Sequence, residues 1–186
     1  MIYYVIIEIS FQILCIVGLF YKKINLFTRG RSITFKILKS KLLDQGQWAW
    51  FHVASLGEFE QAKPLIIAYK KHFPKDKILL TFFSPSGYEI KKNFSYADCI
   101  CYLPWDTITN VNRFLDFCNV KLAIFEKYEF WPNFFKGLHK RKIPVYSVSS
   151  IFRPQQLFFR WYGVGYIKLL YVVTHYFVQN YLSKKL

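Results

Sequence analysis

The sequence is short of acidic residues. Its 186 residues contain 11 Asp and Glu against 26 Lys and Arg, which gives a formal net charge of +15. Glu129 is the last acidic residue, and a second stretch, from Tyr21 to Leu43, also lacks acids. Such a surface attracts anions, whether nucleic acids, anionic lipid headgroups or phosphorylated sugars, and charge alone does not choose among them.

The chain also lacks the residues and motifs of several protein classes. Eight glycines and seven prolines exclude a collagen-like chain, and four cysteines without a CxxC pair predict buried, reduced thiols. No histidine lies four residues from another or near a cysteine pair, so no metal site is expected. A GxxxxGK[ST] phosphate loop, a GxSxG elbow and a complete dinucleotide fingerprint are absent as well. The 21% of aromatic residues excludes disorder.

Apolar residues dominate the N-terminus. Seventeen of the first twenty residues are apolar or Gly, and twenty helical residues span about 30 Å, the thickness of a bilayer core. The basic block that follows predicts a membrane anchor over 1–21, a basic juxtamembrane segment over 22–47, and the rest of the chain on the cytoplasmic face of the cytoplasmic membrane. Glu8 leaves a second possibility open, a helix that lies in the membrane interface. Either arrangement predicts an anionic membrane surface as the partner and no nucleic acid.

From residue 48 onward, short apolar runs alternate with segments of helical spacing. The predicted strands are 48–54, 77–83, 99–103, 121–125, 143–149 and 172–179. The predicted helices between them are 58–73, a short helix that ends near 94, 107–117, a helix that begins at Pro132, and 154–170. This alternation predicts an α/β domain over 48–186, with a Rossmann-like parallel sheet and flanking helices.

Turn-like polar segments follow the predicted strands. In open α/β sheets, ligands bind beyond the carboxyl ends of the strands, so these segments together predict a crevice. They are Ser55–Glu58, Ser84–Gly87, Pro104–Asp106, Glu126–Asn133 and Ser147–Arg153.

Glu58 has two interpretations. The spacing Ser55-x-x-Glu58 before a helix is a capping box, in which Ser55 caps the helix N-terminus and Glu58 reaches back to the backbone N–H of Ser55, and spacing alone favours this role. The alternative is a general base at the mouth of the sheet, kept ionised by the helix N-terminus.

His52 and two further carboxylates lie in or near the crevice segments. His52 is interpreted either as a packed core histidine or as a ligand contact. Glu126 and Glu129 are interpreted as loop carboxylates paired with Lys127 or with another of the many cations.

Five ordered blocks resemble those of the bacterial 3-deoxy-D-manno-octulosonic acid (Kdo) transferases, which add Kdo to a lipid A precursor. The blocks are HVASLGE at 52–58 for HxxSxGE, TFFSPSG at 81–87 for TTxTPTG, YLPWD at 102–106 for YLPYD, EFWPN at 129–133 for ExWPN, and KRKIP at 140–144 for RRxIP. The apolar anchor and a turn at Arg29-Gly30-Arg31 also resemble this family.

The resemblance implies the N-terminal, acceptor half of a GT-B glycosyltransferase, in which an absent C-terminal domain binds the donor CMP-Kdo. It implies that Glu58 is the base of an inverting transfer to the lipid A precursor, and that no metal or cofactor is used. The residues implied to bind the acceptor or support catalysis are Ser55, Gly57, Ser84, Ser86, Gly87, Glu129, Asn133 and Arg153.

Two departures from the family pattern concern the crevice. Lys127 occupies the position of the first Glu of the family's ETELWPN block, and Glu126 is one residue out of register. The Arg of the family's NARxS block has no counterpart in place, and Arg153 is the nearby candidate to replace it. The alternative to a transferase half is therefore a catalytically silent, membrane-bound lipid-binding fragment from a truncated gene.

Overall fold

A computed structural model of the chain describes residues 2–41, 46–127, 129–153, 155–156 and 164–185. The strands are β1 Trp48–Val53, β2 Lys77–Phe82, β3 Cys99–Tyr102, β4 Val120–Glu126, β5 Val145–Ser150 and β6 His175–Val178. The helices are α1 Ile2–Val17, α2 Lys22–Lys41, α3 Leu56–His72, α4 Pro85–Lys91, α5 Ile108–Phe117, α6 Pro132–Lys140, α7 Val164–Leu170 and α8 Tyr181–Lys185. The N-terminal part of the predicted helix over 154–170 lies largely outside the described residues.

The six strands form one parallel sheet in the order β3-β2-β1-β4-β5-β6. This confirms the predicted parallel α/β architecture, and the order is that of a Rossmann-like sheet. Strand order reverses between β1 and β4, so their carboxyl ends form the topological switch point, where such sheets bind ligands. All six residues of β1 are buried, as expected for a central strand that is covered on both faces.

The core has two layers because successive strand residues point to opposite faces of the sheet. On one face, Trp50 packs against Phe114 of α5 and Phe134 of α6, with ring centroids 4.9 and 5.4 Å away. On the other face, Phe51 belongs to a cluster that includes Phe59 of α3. Both faces of the sheet are thus filled with aromatic side chains, which fixes the positions of the loops at its carboxyl edge.

Helix α2 continues through residues 29–31, so the predicted turn there is wrong. Gly30 is needed for close packing, because a Cβ at this position would lie 2.2 Å from the ring of Tyr102. Thr34, one turn later, donates a hydrogen bond to the carbonyl of Tyr102 at 3.1 Å. Leu38 is fully buried in the core. The basic segment predicted to stand apart from the domain therefore includes a helix that packs against the sheet.

Arg31 ties α2 to the carboxyl end of β2. Its guanidinium lies 3.6 Å from the centroid of the Phe27 ring and donates to the carbonyls of Phe27 and Phe83 at 3.0 and 2.8 Å. Burial lowers the pKa of Arg31 to about 9. The cation is held by aromatic faces and carbonyl oxygens, and it anchors the basic helix beside the crevice loops.

Helix α1 is shorter than the predicted anchor and packs on the domain. It ends at Val17, after 16 residues, and a turn follows. Tyr3 donates to Asp106 at 2.7 Å, the Trp105 indole donates to the carbonyl of Ile7, and the Phe11 ring lies 5.3 Å from that of Trp105. Among the described helices, none combines the length and apolar character needed to cross a bilayer. The predicted spanning anchor is not confirmed.

Candidate active site

The switch point brings two of the predicted crevice segments together. β1 leads into Ser55–Glu58, and the adjacent β4 ends at Glu126 and leads towards Glu129. His52, the penultimate residue of β1, pairs with Phe125 of β4. The carboxylates of Glu58, Glu126 and Glu129 therefore meet at one place on the carboxyl edge of the sheet.

Glu58 is held at the start of α3. Ser55 is the N-cap, and its hydroxyl accepts a hydrogen bond from the backbone N–H of Glu58 at 3.4 Å. One carboxylate oxygen of Glu58 accepts the backbone N–H of Ala54 at 2.6 Å. Ser55 therefore caps α3 as predicted, but Glu58 reaches back to the N–H of Ala54 rather than to that of Ser55. Oε1 of Glu58 is not part of this hydrogen bond. Gly57 is exposed, and a Cβ there would meet only the Ser55 hydroxyl at 4.0 Å, so packing leaves its backbone open to a ligand.

Glu129 and His52 flank Glu58. The Nε2 atom of His52 lies 3.5 Å from Oε2 of Glu129, which also accepts the indole N–H of Trp131 at 3.1 Å. Burial raises the pKa of Glu58, the hydrogen bond from the N–H of Ala54 opposes this shift, and the charge of Glu129 adds to it. A carboxylate with a raised pKa is a better proton acceptor near neutral pH than an ordinary glutamate.

Glu126 differs from its predicted role as a paired loop carboxylate. It is the last residue of β4, it is 1% exposed, and neither carboxylate oxygen has a hydrogen-bond partner among the described residues. Burial raises its pKa to about 7, the nearby Ser149 side chain opposes this shift, and the charge of Glu58 adds to it. The sequence signal was its place directly after a buried apolar strand, and the interpretation as a loop residue missed it.

Lys127 has a left-handed backbone conformation, with φ at 57°. Its N–H donates to the carbonyl of Val148 at 2.8 Å, and its own carbonyl accepts the hydroxyls of Ser147 and Ser150 at 3.2 and 3.1 Å. Ser149 is also left-handed, with φ at 56°. Such conformations are unfavourable for residues other than Gly, and they concentrate at functional sites. Hydrogen bonds from the end of β5 therefore hold the backbone of Lys127 in place where the chain leaves β4.

The Ser84–Gly87 segment packs against the same edge of the sheet. Ser84 is the N-cap of α4 and accepts the N–H of Ser86 at 3.3 Å, and the two hydroxyls lie 2.9 Å apart. A Cβ on Gly87 would lie 2.5 Å from the ring of Phe82 and 3.1 Å from the backbone nitrogen of Leu56. Gly87 therefore lets α4 approach the start of α3, while the Ser86 side chain is exposed.

Asn133 and Arg153 are placed differently from the other predicted residues. Asp106 caps α6 from another loop, since its carboxylate accepts the N–H groups of Asn133 and Phe134 at 3.1 and 3.0 Å. The side-chain amide of Asn133 donates to the carbonyl of Asp106, so this buried residue joins two loops. Burial raises the pKa of Asp106 to about 6 against the hydrogen bond from Tyr3. Arg153 is exposed beyond β5, with no side-chain contact to the carboxylates among the described residues.

Two further features limit the chemistry of the described residues. No three His, Cys, Asp or Glu side chains in these ranges are grouped so that they could hold a metal ion. A cavity of about 360 Å³ lies away from the switch point, between β6, α7 and α8, and is lined mainly by apolar residues including Ile167, Leu170 and Tyr171. None of the described residues that line this cavity is a carboxylate or a histidine.

Comparisons with known proteins agree with this geometry. The 3-deoxy-D-manno-octulosonic-acid transferase (kdotransferase) family matches residues 29–185. A 3-deoxy-D-manno-octulosonic acid transferase of Haemophilus influenzae is 32% identical over 139 residues, covering 74% of this chain and 33% of that protein. The Aquifex aeolicus protein of the same name is 34% identical over 105 residues, covering 55% and 29%. A probable mitochondrial 3-deoxy-D-manno-octulosonic acid transferase of Arabidopsis thaliana is 31% identical over 101 residues, covering 54% and 23%.

These relatives are roughly twice as long as the chain. The chain spans 33% of the Haemophilus influenzae protein and 29% of the Aquifex aeolicus protein. The family match nevertheless extends over most of this sequence and includes the switch point with Glu58, Glu126 and Glu129. The chain therefore belongs to the 3-deoxy-D-manno-octulosonic-acid transferase family.

Proposed function

We propose that this chain is the acceptor half of a glycosyltransferase that moves Kdo from CMP-Kdo to a lipid A precursor. The observation that carries the proposal is the Glu58 carboxylate at the switch point, whose Oε2 accepts one backbone N–H, while Oε1 has no hydrogen bond among the described residues. Family membership supports Kdo transfer in general, and the donor, the acceptor and the division into halves are part of the proposal.

In the proposed reaction, Glu58 accepts the proton of an acceptor sugar hydroxyl. The hydroxyl oxygen forms a bond to the anomeric carbon of Kdo, and the bond from that carbon to the CMP phosphate oxygen breaks with inversion. The electron pair leaves with CMP, and the proton remains on Glu58. No step requires a metal or cofactor, and the raised pKa of Glu58 suits a group that accepts a proton near neutral pH.

Cations at the same edge of the sheet support a phosphorylated acceptor. Lys127 follows β4 and is close enough to Glu58 to affect its titration, and Arg153 follows β5. Charge-assisted hydrogen bonds from such groups suit the phosphates of a lipid A precursor. We include Ser55, Gly57, Ser84, Ser86 and Gly87 in the proposed acceptor site, because their loops adjoin Glu58.

We further propose that α1 lies in the cytoplasmic face of the cytoplasmic membrane. Its inner face contacts Trp105, while its outer face exposes Ile6, Ile9, Ile13 and Ile16, each at least half exposed. The exposed Lys22 and the other cations of α2 suit an anionic surface. Because α1 contacts the loop after β3, this arrangement holds a lipid acceptor near the crevice.

The alternative candidate is a catalytically silent lipid-binding protein. The observation that favours it is the coverage of about one third of each relative, because a transferase also needs a site for CMP-Kdo. We propose that a second domain supplies that site. The two candidates share acceptor binding and differ only in transfer.

One experiment tests both candidates. The isolated chain is expected to bind a phosphorylated lipid A precursor in vesicles without transferring Kdo, and fusion to the remaining part of the Haemophilus influenzae relative is expected to restore transfer. Catalysis requires both reactants to be held together, which explains the difference. Binding by a fusion that never transfers Kdo would favour the silent protein, and absence of binding by either form would contradict the acceptor site.

A second experiment tests membrane contact. The double variant I9E/I13E places two charges on the exposed face of α1 and is expected to reduce binding to anionic vesicles without changing thermal stability. The control I33E changes an exposed apolar residue of α2. Equal vesicle binding by I9E/I13E and the parent chain would contradict the proposed role of α1.

A further inference from the structure

Four side chains form a continuous polar path through the apolar centre of the sheet. Trp50 of β1 donates its indole N–H to the hydroxyl of Thr81 on β2 at 2.8 Å. The same hydroxyl lies 2.8 Å from Nδ1 of His52. On the far side of the imidazole, Nε2 lies 3.5 Å from Oε2 of Glu129. Trp50, Thr81 and His52 are each at most 1% exposed, so water does not compete for these contacts.

The first two contacts determine where the Thr81 proton goes. An indole N–H can only donate, so the Thr81 oxygen must accept the bond from Trp50. The hydroxyl has one proton of its own to donate. His52 Nδ1 lies 2.8 Å away, whereas the alternative acceptor, the Phe51 carbonyl, lies 3.4 Å away. The shorter contact favours donation to Nδ1, which leaves the proton of the neutral imidazole on Nε2.

The other side of the ring favours the same tautomer. Among the described residues, Nε2 has no hydrogen-bond partner that satisfies normal geometry, but it faces the Glu129 carboxylate, which also accepts the Trp131 indole N–H. A proton on Nε2 places a donor opposite the carboxylate. The other tautomer would place a lone pair against a negative charge in a buried setting, where such repulsion is costly.

We propose that Trp50 and Thr81 fix His52 in its neutral, Nε2-protonated tautomer, and that His52 is a positioning residue that holds Glu129 beside Glu58. The consequence concerns Glu58, because the charge of Glu129 is one cause of its raised pKa. The catalytic meaning of this arrangement rests on the proposed role of Glu58 as the base. The tautomer and the position of Glu129 do not depend on that role.

Nitrogen-15 NMR of the histidine ring in the unmodified chain tests the tautomer directly. At neutral pH, His52 is expected to show a protonated Nε2 and an unprotonated Nδ1. A protonated Nδ1, or an imidazolium at neutral pH, would overturn the proposal. No transfer reaction is involved, so the result does not depend on whether the proposed function is correct.

The matched variants T81S and T81V test the role of the hydroxyl. Serine retains the donor, and T81S should preserve the Nε2-protonated tautomer. Valine keeps the shape and removes the hydroxyl, so T81V should mix the tautomers and lower the pKa of Glu58. If T81V folds and matches T81S in both readouts, Thr81 does not fix the ring. If T81V does not fold, the unmodified chain and T81S still decide the tautomer.

The variant E129Q tests the link to Glu58. Carbon-13 titration of the Glu58 carboxyl should show a lower pKa in E129Q than in the unmodified chain, because a nearby like charge is removed. An unchanged Glu58 pKa would overturn the positioning role, even if transfer activity were normal. If the Glu58 pKa falls in E129Q as expected, but the unmodified chain fused to the rest of a relative does not transfer Kdo, the proposed function is contradicted and the positioning role is not.

Discussion

Glu58 lies in the first turn of the helix that follows β1, and Glu126 ends the adjacent strand β4, yet their surroundings are opposite. Glu58 is half-buried and accepts a backbone N–H at 2.6 Å, whereas Glu126 is buried and has no hydrogen-bond partner among the described residues. Burial raises the pKa of both. The N–H of Ala54 keeps Glu58 usable as an ionised base, while Glu126 favours its neutral form. Proximity to the switch point therefore does not distinguish the two carboxylates, whereas their hydrogen-bond partners do, and these partners favour Glu58 as the proposed base.

The largest effect is expected for E58Q. Glutamine still fits the cap but cannot accept the proton. Transfer by the chain fused to the remaining part of the Haemophilus influenzae relative should therefore fall by about 10²–10⁴-fold. Thermal stability should change by no more than about 0.5 kcal/mol, as for a retained cap with a lost dipole interaction. Transfer rates and thermal unfolding of the same variant measure both quantities. Near-normal transfer would reduce Glu58 to a cap and move the search for the base to Glu129 or Glu126.

The next effect concerns the pH dependence of stability through Glu126. Its pKa is about 7 in the folded chain against an ordinary value of 4.5, so the unfolded chain releases this proton first. Stability should therefore fall as pH rises from about 4.5 through 7, by up to about 3 kcal/mol. In E126Q this loss should disappear, so the variant should be more stable than the unmodified chain at pH 8 but not at pH 4. Denaturant unfolding of both proteins at the two pH values measures this difference in the free energy of unfolding.

Glu60 provides a control of opposite sign for that experiment. It is exposed, and its bond to Lys91 at 2.8 Å holds its pKa below the ordinary value. The small stabilisation from this pair is present above the ordinary pKa and is lost as pH falls. E60Q should therefore show no relative gain at pH 8, and a gain equal to that of E126Q would show that the effect is not specific to the buried site.

Two glycines of the crevice loops should respond differently to alanine. G87A places a methyl group 2.5 Å from the Phe82 ring and should cost about 1–3 kcal/mol of stability. The methyl group of G57A faces open space. Its free energy of unfolding should be unchanged or rise by up to about 0.5 kcal/mol, since alanine favours the helix. Chemical denaturation compares them. Equal destabilisation would contradict the packing described for the Ser84–Gly87 segment.

The smallest effect separates the two serines. S55A removes the N-cap hydroxyl of α3 and should cost about 1 kcal/mol. S86A removes an exposed hydroxyl that does not cap α4 and should change stability by less than about 0.5 kcal/mol. Thermal unfolding of the two variants provides the comparison. If S55A also reduced transfer as strongly as E58Q, the separation between cap and base would fail.

The sequence was sufficient for the parts of the fold that depend on local pattern. Continuous apolar runs predicted all six strands, and Pro132 at the first helical position predicted the start of α6. The cap of α3 was also predictable, because Ser55 and Glu58 are three residues apart. The family motifs then indicated Glu58 as the base, which local pattern alone did not favour.

The remaining features depend on contacts between distant residues. Gly30 resembles a turn residue until Tyr102, 72 positions later, is found against it. Asp106 caps α6 from 27 residues away, so Asn133 joins two loops by a contact that no local spacing reveals. Glu126 is followed by the left-handed Lys127, whose carbonyl accepts hydroxyls of two β5 serines that lie at least 20 residues later in the chain. Such features follow from strand order, which the sequence pattern does not specify.

The most direct test is the location of the acceptor on the isolated chain. NMR amide shifts should be recorded while a phosphorylated lipid A disaccharide is added to the unmodified chain and to E58Q. The shifts are expected to concentrate at Gly57, Glu58 and Lys127. E58Q is expected to bind the disaccharide with similar affinity, because the proposed base acts mainly in transfer. Shifts concentrated instead around Ile167, Leu170 and Tyr171, in the apolar cavity beside β6, would contradict an acceptor site at the switch point.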